Sequence, residues 1–205
     1  MSAPDLSALV SARLCHDLIS PMGAIGNGIE LMQLSQTANS AELDLIAGSL
    51  GSALAKLRFY RIAFGAADAQ ARMSFDEVRG ITDAMFQGRF TVAWTSAAAD
   101  QPRQTVRLIF LALLCLEKSL PMGGTAQLSL DADAIALAVD GRRTAPPAPL
   151  WALATSGAGG AELGPDGVQF ALLDRALAET GYRLETDFAE TRARIRMTAQ
   201  ALAPA

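Results

Sequence analysis

Arg13-Leu14-Cys15-His16-Asp17-Leu18-Ile19-Ser20-Pro21 contains the only histidine among 205 residues. How that histidine sits on its helix decides how the chain reads. Leu14, Leu18, Pro21, Ile25, Gly28 and Met32 follow one another at alternating spacings of four and three, the seam of a helix packed in a bundle. The helix is predicted from about Asp5 to Met32, with Ser2 or Pro4-Asp5 as its start signal. His16 lies two residues after Leu14 and two before Leu18. At about 100° per residue its side chain points away from the seam, towards solvent. Asp17 follows directly, and a carboxylate beside an imidazole can orient it and accept its proton. Pro21 has no N–H, so the Asp17 carbonyl loses its helical partner and a bend is expected just past the histidine.

A polar connector, Ser35 to Ser40, leads to a second helix that starts near Ser40 and ends near Phe64-Gly65. Its seam is Leu43, Ile46, Leu50, Ala53, Leu57, Tyr60 and Phe64, again alternating three and four. Two such helices form an antiparallel hairpin that buries one stripe of each. Pairing two hairpins in a homodimeric four-helix bundle is the expected remedy. From Ala71 the pattern becomes mixed. Helices are predicted at Phe75–Gln87, where Ser74 and Glu77 make a capping box, at Arg103–Leu120 and at Val168–Glu179. Strands are predicted at Phe90–Trp94, at Thr125–Leu130 and Ala134–Val139 around the turn Asp131-Ala132-Asp133, and at Tyr182–Thr186 and Thr191–Thr198. Residues 141–167, rich in Pro, Ala and Gly, read as a loop. The expected fold is therefore α+β: a helical hairpin over residues 1–66, then an α/β sandwich over residues 70–205.

Composition narrows the function classes. The chain is 51% hydrophobic and 19% charged, with a net charge of −4; a core can form, and no basic footprint for nucleic acid exists. The N-terminus lacks a basic n-region and a long apolar stretch. The longest apolar run, Leu108 to Leu116, is far short of the roughly 20 residues a membrane span needs. A soluble, cytoplasmic protein is expected. Cys15 and Cys115 are too few for a disulfide framework, and Cys15 reads as a small buried residue. A single histidine excludes His-rich zinc sites and HExxH, and the P-loop pattern is absent. Trp94 and Trp151 read as core or interface residues. Arg192, Arg194 and Arg196 alternate along a strand and should line one exposed face.

His16-Asp17-Leu18-Ile19-Ser20-Pro21 resembles the H-box of two-component histidine kinases, which carry a phosphorylatable histidine, an acidic residue and a proline five positions on. The resemblance implies a dimeric bundle followed by a Bergerat-type ATP-binding α/β domain. The nucleotide boxes of that domain are incomplete here. The Mg²⁺-ligating asparagine position falls on Cys115 or Leu111, neither of which offers an oxygen ligand. Asp140-Gly141-Arg142-Arg143 does not complete a DxGxG turn. Gly164-Pro165-Asp166-Gly167 stands where a GxGxG segment would be, and Gly157-Ala158-Gly159-Gly160 reads as a flexible loop. This combination resembles the ChpT-type bacterial histidine phosphotransferases, on Leu14–Pro21, Gly23–Gly28, Leu57–Gly65 and Leu120-Pro121-Met122-Gly123-Gly124.

That family implies a homodimer with no cofactor of its own, Mg²⁺ being carried by the partner receiver domain. It implies relay of phosphate from the receiver of a hybrid kinase to response regulators. An imidazole is largely neutral near neutral pH, so a ring nitrogen of His16 can attack an aspartyl phosphate. His16 and Asp17 are the catalytic candidates. Residues one or two turns away on the histidine face (Arg13, Ser20, Gly23, Asn27 and Gly28) are candidates for receiver docking. Two alternatives stand beside this reading: an ATP-dependent kinase with an atypical nucleotide site, and a non-catalytic kinase-like adaptor.

Overall fold

The structure is a computed structural model that describes residues 5–35, 40–66, 68, 70–95, 99–131, 133–157 and 162–200. Residues 36–39 of the connector, the start signals Ser2 and Pro4, Ala132 of the hairpin turn and residues 158–160 of the glycine segment lie outside the described residues.

Helix α1 runs from Leu6 to Ser35. Asp5 starts it, its Oδ1 accepting the backbone N–H of Ser7 at 3.0 Å and of Ala8 at 3.2 Å, which satisfies donors that the first helical turn leaves free. Pro21 does not end the helix, which continues to Ser35. Helix α2, Ser40–Ala63, returns antiparallel beside it. Pairings far apart in sequence fix the register: Asp17 meets Lys56 and Tyr60, and Gly28 lies under Ile46.

The seam expected on α2 divides. Ala53 and Tyr60 are buried, but Leu43, Leu50 and Leu57 are 45–48% exposed. The hairpin also buries more than one stripe. Near its base Phe59, Ile62 and Ala63 enter the α/β core. There Phe59 stacks on Phe110 with ring centres 4.2 Å apart and meets Phe86 edge-on at 5.2 Å. Leu6, Leu9, Val10 and Leu14 of α1 pack against the same core. Hydrophobic packing is thus continuous across the stretch at 65–71, where the element type changes.

Beyond the hairpin the order is β1 (Arg72–Met73), α3 (Phe75–Met85), β2 (Phe90–Trp94), β3 (Gln101–Pro102), α4 (Arg103–Lys118), β4 (Gly124–Leu130), β5 (Ala134–Asp140), α5 (Ala148–Ser156), α6 (Val168–Thr180), β6 (Tyr182–Ala189) and β7 (Arg192–Ala199). Ser74 caps α3 as expected, accepting from the Glu77 N–H at 3.2 Å. Five strands form one sheet in the order β2-β4-β5-β7-β6. Among the described residues only β2 and β4 run parallel, and α4 makes the crossover between them. β1 and β3 make a separate two-residue ribbon. Along β7, Ala193, Ile195 and Met197 face inward, while Arg192 and Arg196 are exposed and Arg194 is half-buried. Every residue of α4 from Val106 to Leu116 is buried, as a helix apolar on nearly every side requires; the one charge among them, Arg107, is paired with Glu179 at 2.9 Å.

Two further features depart from the sequence reading. The stretch 141–167 is not a plain loop, because it contains α5. Trp151 on that helix is buried; its Nε1–H donates to Ser119 Oγ at 2.9 Å, and its ring packs on Phe170 and Phe188. Cys15 is exposed rather than buried, because it lies next to His16 on the outward side of α1.

Candidate functional site around His16

The His16 side chain is 84% exposed. The seam turns it outward, away from α2. Its Nδ1 lies 3.0 Å from Asp17 Oδ1. An ionised carboxylate only accepts, so this contact keeps the proton on Nδ1 of a neutral ring and leaves the Nε2 lone pair free.

Asp17 is far less exposed than its neighbour, at 13%, and it is held from several directions. Its Oδ2 accepts from Arg13 Nε at 2.6 Å and from the Tyr60 hydroxyl. Its backbone carbonyl, freed by Pro21, accepts from Lys56 Nζ at 2.9 Å. Burial alone raises the carboxyl pKa, but hydrogen bonds from Tyr60, His16 and Arg13 together with the Arg13 charge outweigh it. Asp17 is therefore held below the ordinary carboxylate value and stays ionised. Burial and the Asp17 hydrogen bond push the Tyr60 hydroxyl above its ordinary value, so it remains a donor. Burial lowers the pKa of Arg13, but the charges and hydrogen bonds of Tyr60 and Asp17 raise it further. Glu117, at the end of α4, lies in the field of Arg13, Asp17, Arg89 and Lys56; burial is the main cause of its raised pKa.

The other expected site residues separate into two groups. Ser20, Gly23 and Asn27 are exposed, and a side chain added at Gly23 would meet nothing within 4 Å. Ile19 and Met22, at 69% and 58% exposure, add apolar surface beside them. Gly28 does not share that open face. It is buried, and a Cβ there would come within 2.7 Å of Ile46 Cγ1; its smallness lets α2 approach. Arg13 turns inward to Asp17, its side chain only 20% exposed.

Sequence reasoning placed Tyr60 on a seam and did not reach Lys56. The available signal was a tyrosine, the one hydroxyl-bearing residue of an otherwise apolar seam, opposite a proline-freed carbonyl. Ile19 and Met22 were readable as large apolar residues off the seam of α1.

In the α/β part, Cys115 and Leu111 are wholly buried among the apolar residues of α4, and burial drives the Cys115 thiol pKa well up. Arg194 clasps both carboxylate oxygens of Asp140, at 2.6 and 2.8 Å. Asp166 is paired with Lys118 at 2.5 Å. No group of three or more His, Cys, Asp or Glu side chains suited to a metal ion occurs among the described residues. None of the described helices is long and apolar enough to cross a membrane.

Comparison with known proteins bears on the family of the chain. Residues 75–192 match the family model of the histidine phosphotransferase C-terminal domain. The protein phosphotransferase ChpT of Brucella abortus (strain 2308) is 37% identical over 135 residues, a match that spans 64% of this chain and 63% of that protein. A bacterial phosphotransferase of known structure, 28% identical, superposes with a TM-score of 0.80 over 96% of this chain and 97% of its own. The cytoplasmic segment of the histidine kinase QseC, 13% identical, gives a TM-score of 0.39 over 77% of this chain and 94% of its own. With more than half of its length matched by the family model, the chain belongs to the histidine phosphotransferase family.

Proposed function

We propose that the protein relays a phosphoryl group between receiver-domain aspartates through Nε2 of His16. The observation that carries this reading is an exposed imidazole with Nδ1 on an ionised carboxylate and Nε2 open to solvent. In the forward step the Nε2 lone pair attacks the phosphorus of a receiver aspartyl phosphate. An N–P bond forms, the acyl P–O bond breaks, and the receiver carboxylate departs with the electron pair. The ring, still protonated on Nδ1, becomes positive, and Asp17 stabilises that charge. The return step passes the group to an aspartate of a second receiver. Such transfers depend on in-line positioning and charge stabilisation. The Mg²⁺ they use belongs to the receiver.

Docking is assigned to the open face around the histidine: Ile19, Ser20, Met22, Gly23 and Asn27. Their mix of small, polar and exposed apolar side chains suits a partner helix lying close to α1. The homodimer is supported by Leu43, Leu50 and Leu57, which repeat every seven residues on one exposed line of α2. Relay without ATP is supported by the buried Cys115 and the Asp140–Arg194 clasp, both at positions of the incomplete nucleotide boxes.

The test is His16→Ala. Phosphate uptake from a phosphorylated receiver should disappear, while sedimentation still gives a dimer. Uptake that survives removes the reading.

A further inference from the structure

The Asp17 carboxylate is fixed mainly by groups outside its own helical turn. Oδ2 carries two donors, Arg13 Nε and the Tyr60 hydroxyl, and this leaves Oδ1 for the imidazole. The backbone at Asp17 is tethered as well. Pro21 cannot donate to its carbonyl, and Lys56 fills the place at 2.9 Å. Both α2 groups lie 39 and 43 residues away in sequence, one helical turn apart on the side facing α1. A proline in the middle of a helix removes a backbone donor and usually destabilises it; here it frees a carbonyl that a cation from the neighbouring helix then holds.

We propose that Tyr60 and Lys56 are positioning residues for transfer at His16, holding Asp17 so that the neutral imidazole keeps its proton on Nδ1 and presents a bare Nε2. The proposal rests on the reading of His16 as phosphoacceptor and deepens it. Without the Tyr60 hydroxyl, Oδ2 loses a donor and the carboxylate can rotate away from Nδ1. Without Lys56, the freed carbonyl loses its tether and the backbone carrying Asp17 loosens. Either change lets the ring take the tautomer with hydrogen on Nε2, whose lone pair is then unavailable for attack. The groups facing Asp17 are Arg13 and His16 on its own helix, Tyr60 and Lys56 on α2, and Glu117 on α4.

Because the chain has one histidine, ring-nitrogen NMR of the full-length ¹⁵N-labelled protein reads this site alone. Above the imidazole titration range, wild-type protein should show a protonated Nδ1 and an unprotonated Nε2. Tyr60→Phe keeps the ring that stacks on Phe64 at 4.9 Å, and Lys56→Met keeps the aliphatic stem; thermal melts check that both fold. Each should shift the ring towards the Nε2–H tautomer and slow phosphate uptake from a phosphorylated receiver by roughly tenfold, the scale of one hydrogen bond to a charged group. Lys56→Arg, which still donates, should restore both readouts. Folded variants that keep the wild-type tautomer overturn the proposal whether or not uptake slows, and so does a shifted tautomer with unchanged uptake. Wild-type protein that takes up no phosphate removes the underlying reading, a failure the tautomer spectrum distinguishes because it is recorded without any phosphate donor.

Discussion

Asp17 and Tyr60 share a hydrogen bond that moves their pKa values apart, and each shift carries its own pH dependence. The folded-state pKa of Asp17 lies below the ordinary 3.8. Its contribution to stability is complete above that value and is lost as the pH falls through the lower, folded one. Tyr60 lies above the ordinary 10.0. Its contribution is complete below pH 10 and is lost as the pH rises through the raised value. Tyr182, the second of the chain's two tyrosines, is also raised, by burial and the charge of Asp133. In an ultraviolet titration, neither tyrosine should ionise with the ordinary midpoint of 10.0 while the protein stays folded, whereas the denatured chain should titrate at about 10. An ordinary midpoint in the folded protein that disappears in Tyr60→Phe, and so belongs to Tyr60, would remove the buried Tyr60–Asp17 bond. At this scale the sequence was informative about His16, whose exposure follows from angle alone, and about the adjacency of Asp17, but not about how far Asp17 is covered. It was uninformative about the roles of Tyr60 and Lys56, because their partner lies on another helix.

Glycines on two helices show how the surroundings of an element decide the effect of one methyl group. In a helix, replacing glycine by alanine normally gains about 0.5–1 kcal/mol. Gly80 on α3 is exposed and a Cβ there meets nothing within 4 Å, so Gly80→Ala should stabilise by about that amount. At Gly28 the same Cβ would lie 2.7 Å from Ile46 Cγ1. Overpacking of this kind costs about 1–3 kcal/mol, which outweighs the propensity gain, and Gly28→Ala should destabilise by about 1 kcal/mol. Urea unfolding of the two variants checks the opposite signs; a more stable Gly28→Ala would mean that α2 does not pack closely there. The long helices were legible because their apolar spacing is periodic. Helix α5 was missed because nine residues rich in Ala and Leu, set among Pro, Ala and Gly, carry little periodicity. Its termini did carry a signal, with Pro147 before the first turn and Gly157 in the left-handed conformation (φ 62°) after the last.

Over the whole molecule, one core joins the base of the hairpin to the sheet, through Phe59 on Phe110 and through Leu9, Val10 and Leu14. The α/β part thereby buttresses the helix that carries His16. Several of its polar groups are engaged in structure: Asp140 by Arg194, Asp166 by Lys118, and the Trp151 indole by Ser119. The mixed architecture was readable from the switch in periodicity after residue 70. The continuity of the core was not, because each helix pattern reports only which residues are apolar and not which neighbour covers them. Leu43, Leu50 and Leu57 belong to one sequence seam with Ala53 and Tyr60, yet they stand exposed on the single chain; the homodimeric bundle proposed above would cover them.

Phosphate chemistry on the wild-type protein tests the central claim most directly. The protein is mixed once with a phosphorylated receiver and once with ATP and Mg²⁺, and the modified residue is mapped by mass spectrometry. An acid-labile, base-stable phosphate on His16, acquired from the receiver and not from ATP, is the expected result. A His16 that stays unmodified by the receiver, or that acquires phosphate from ATP alone, would contradict it.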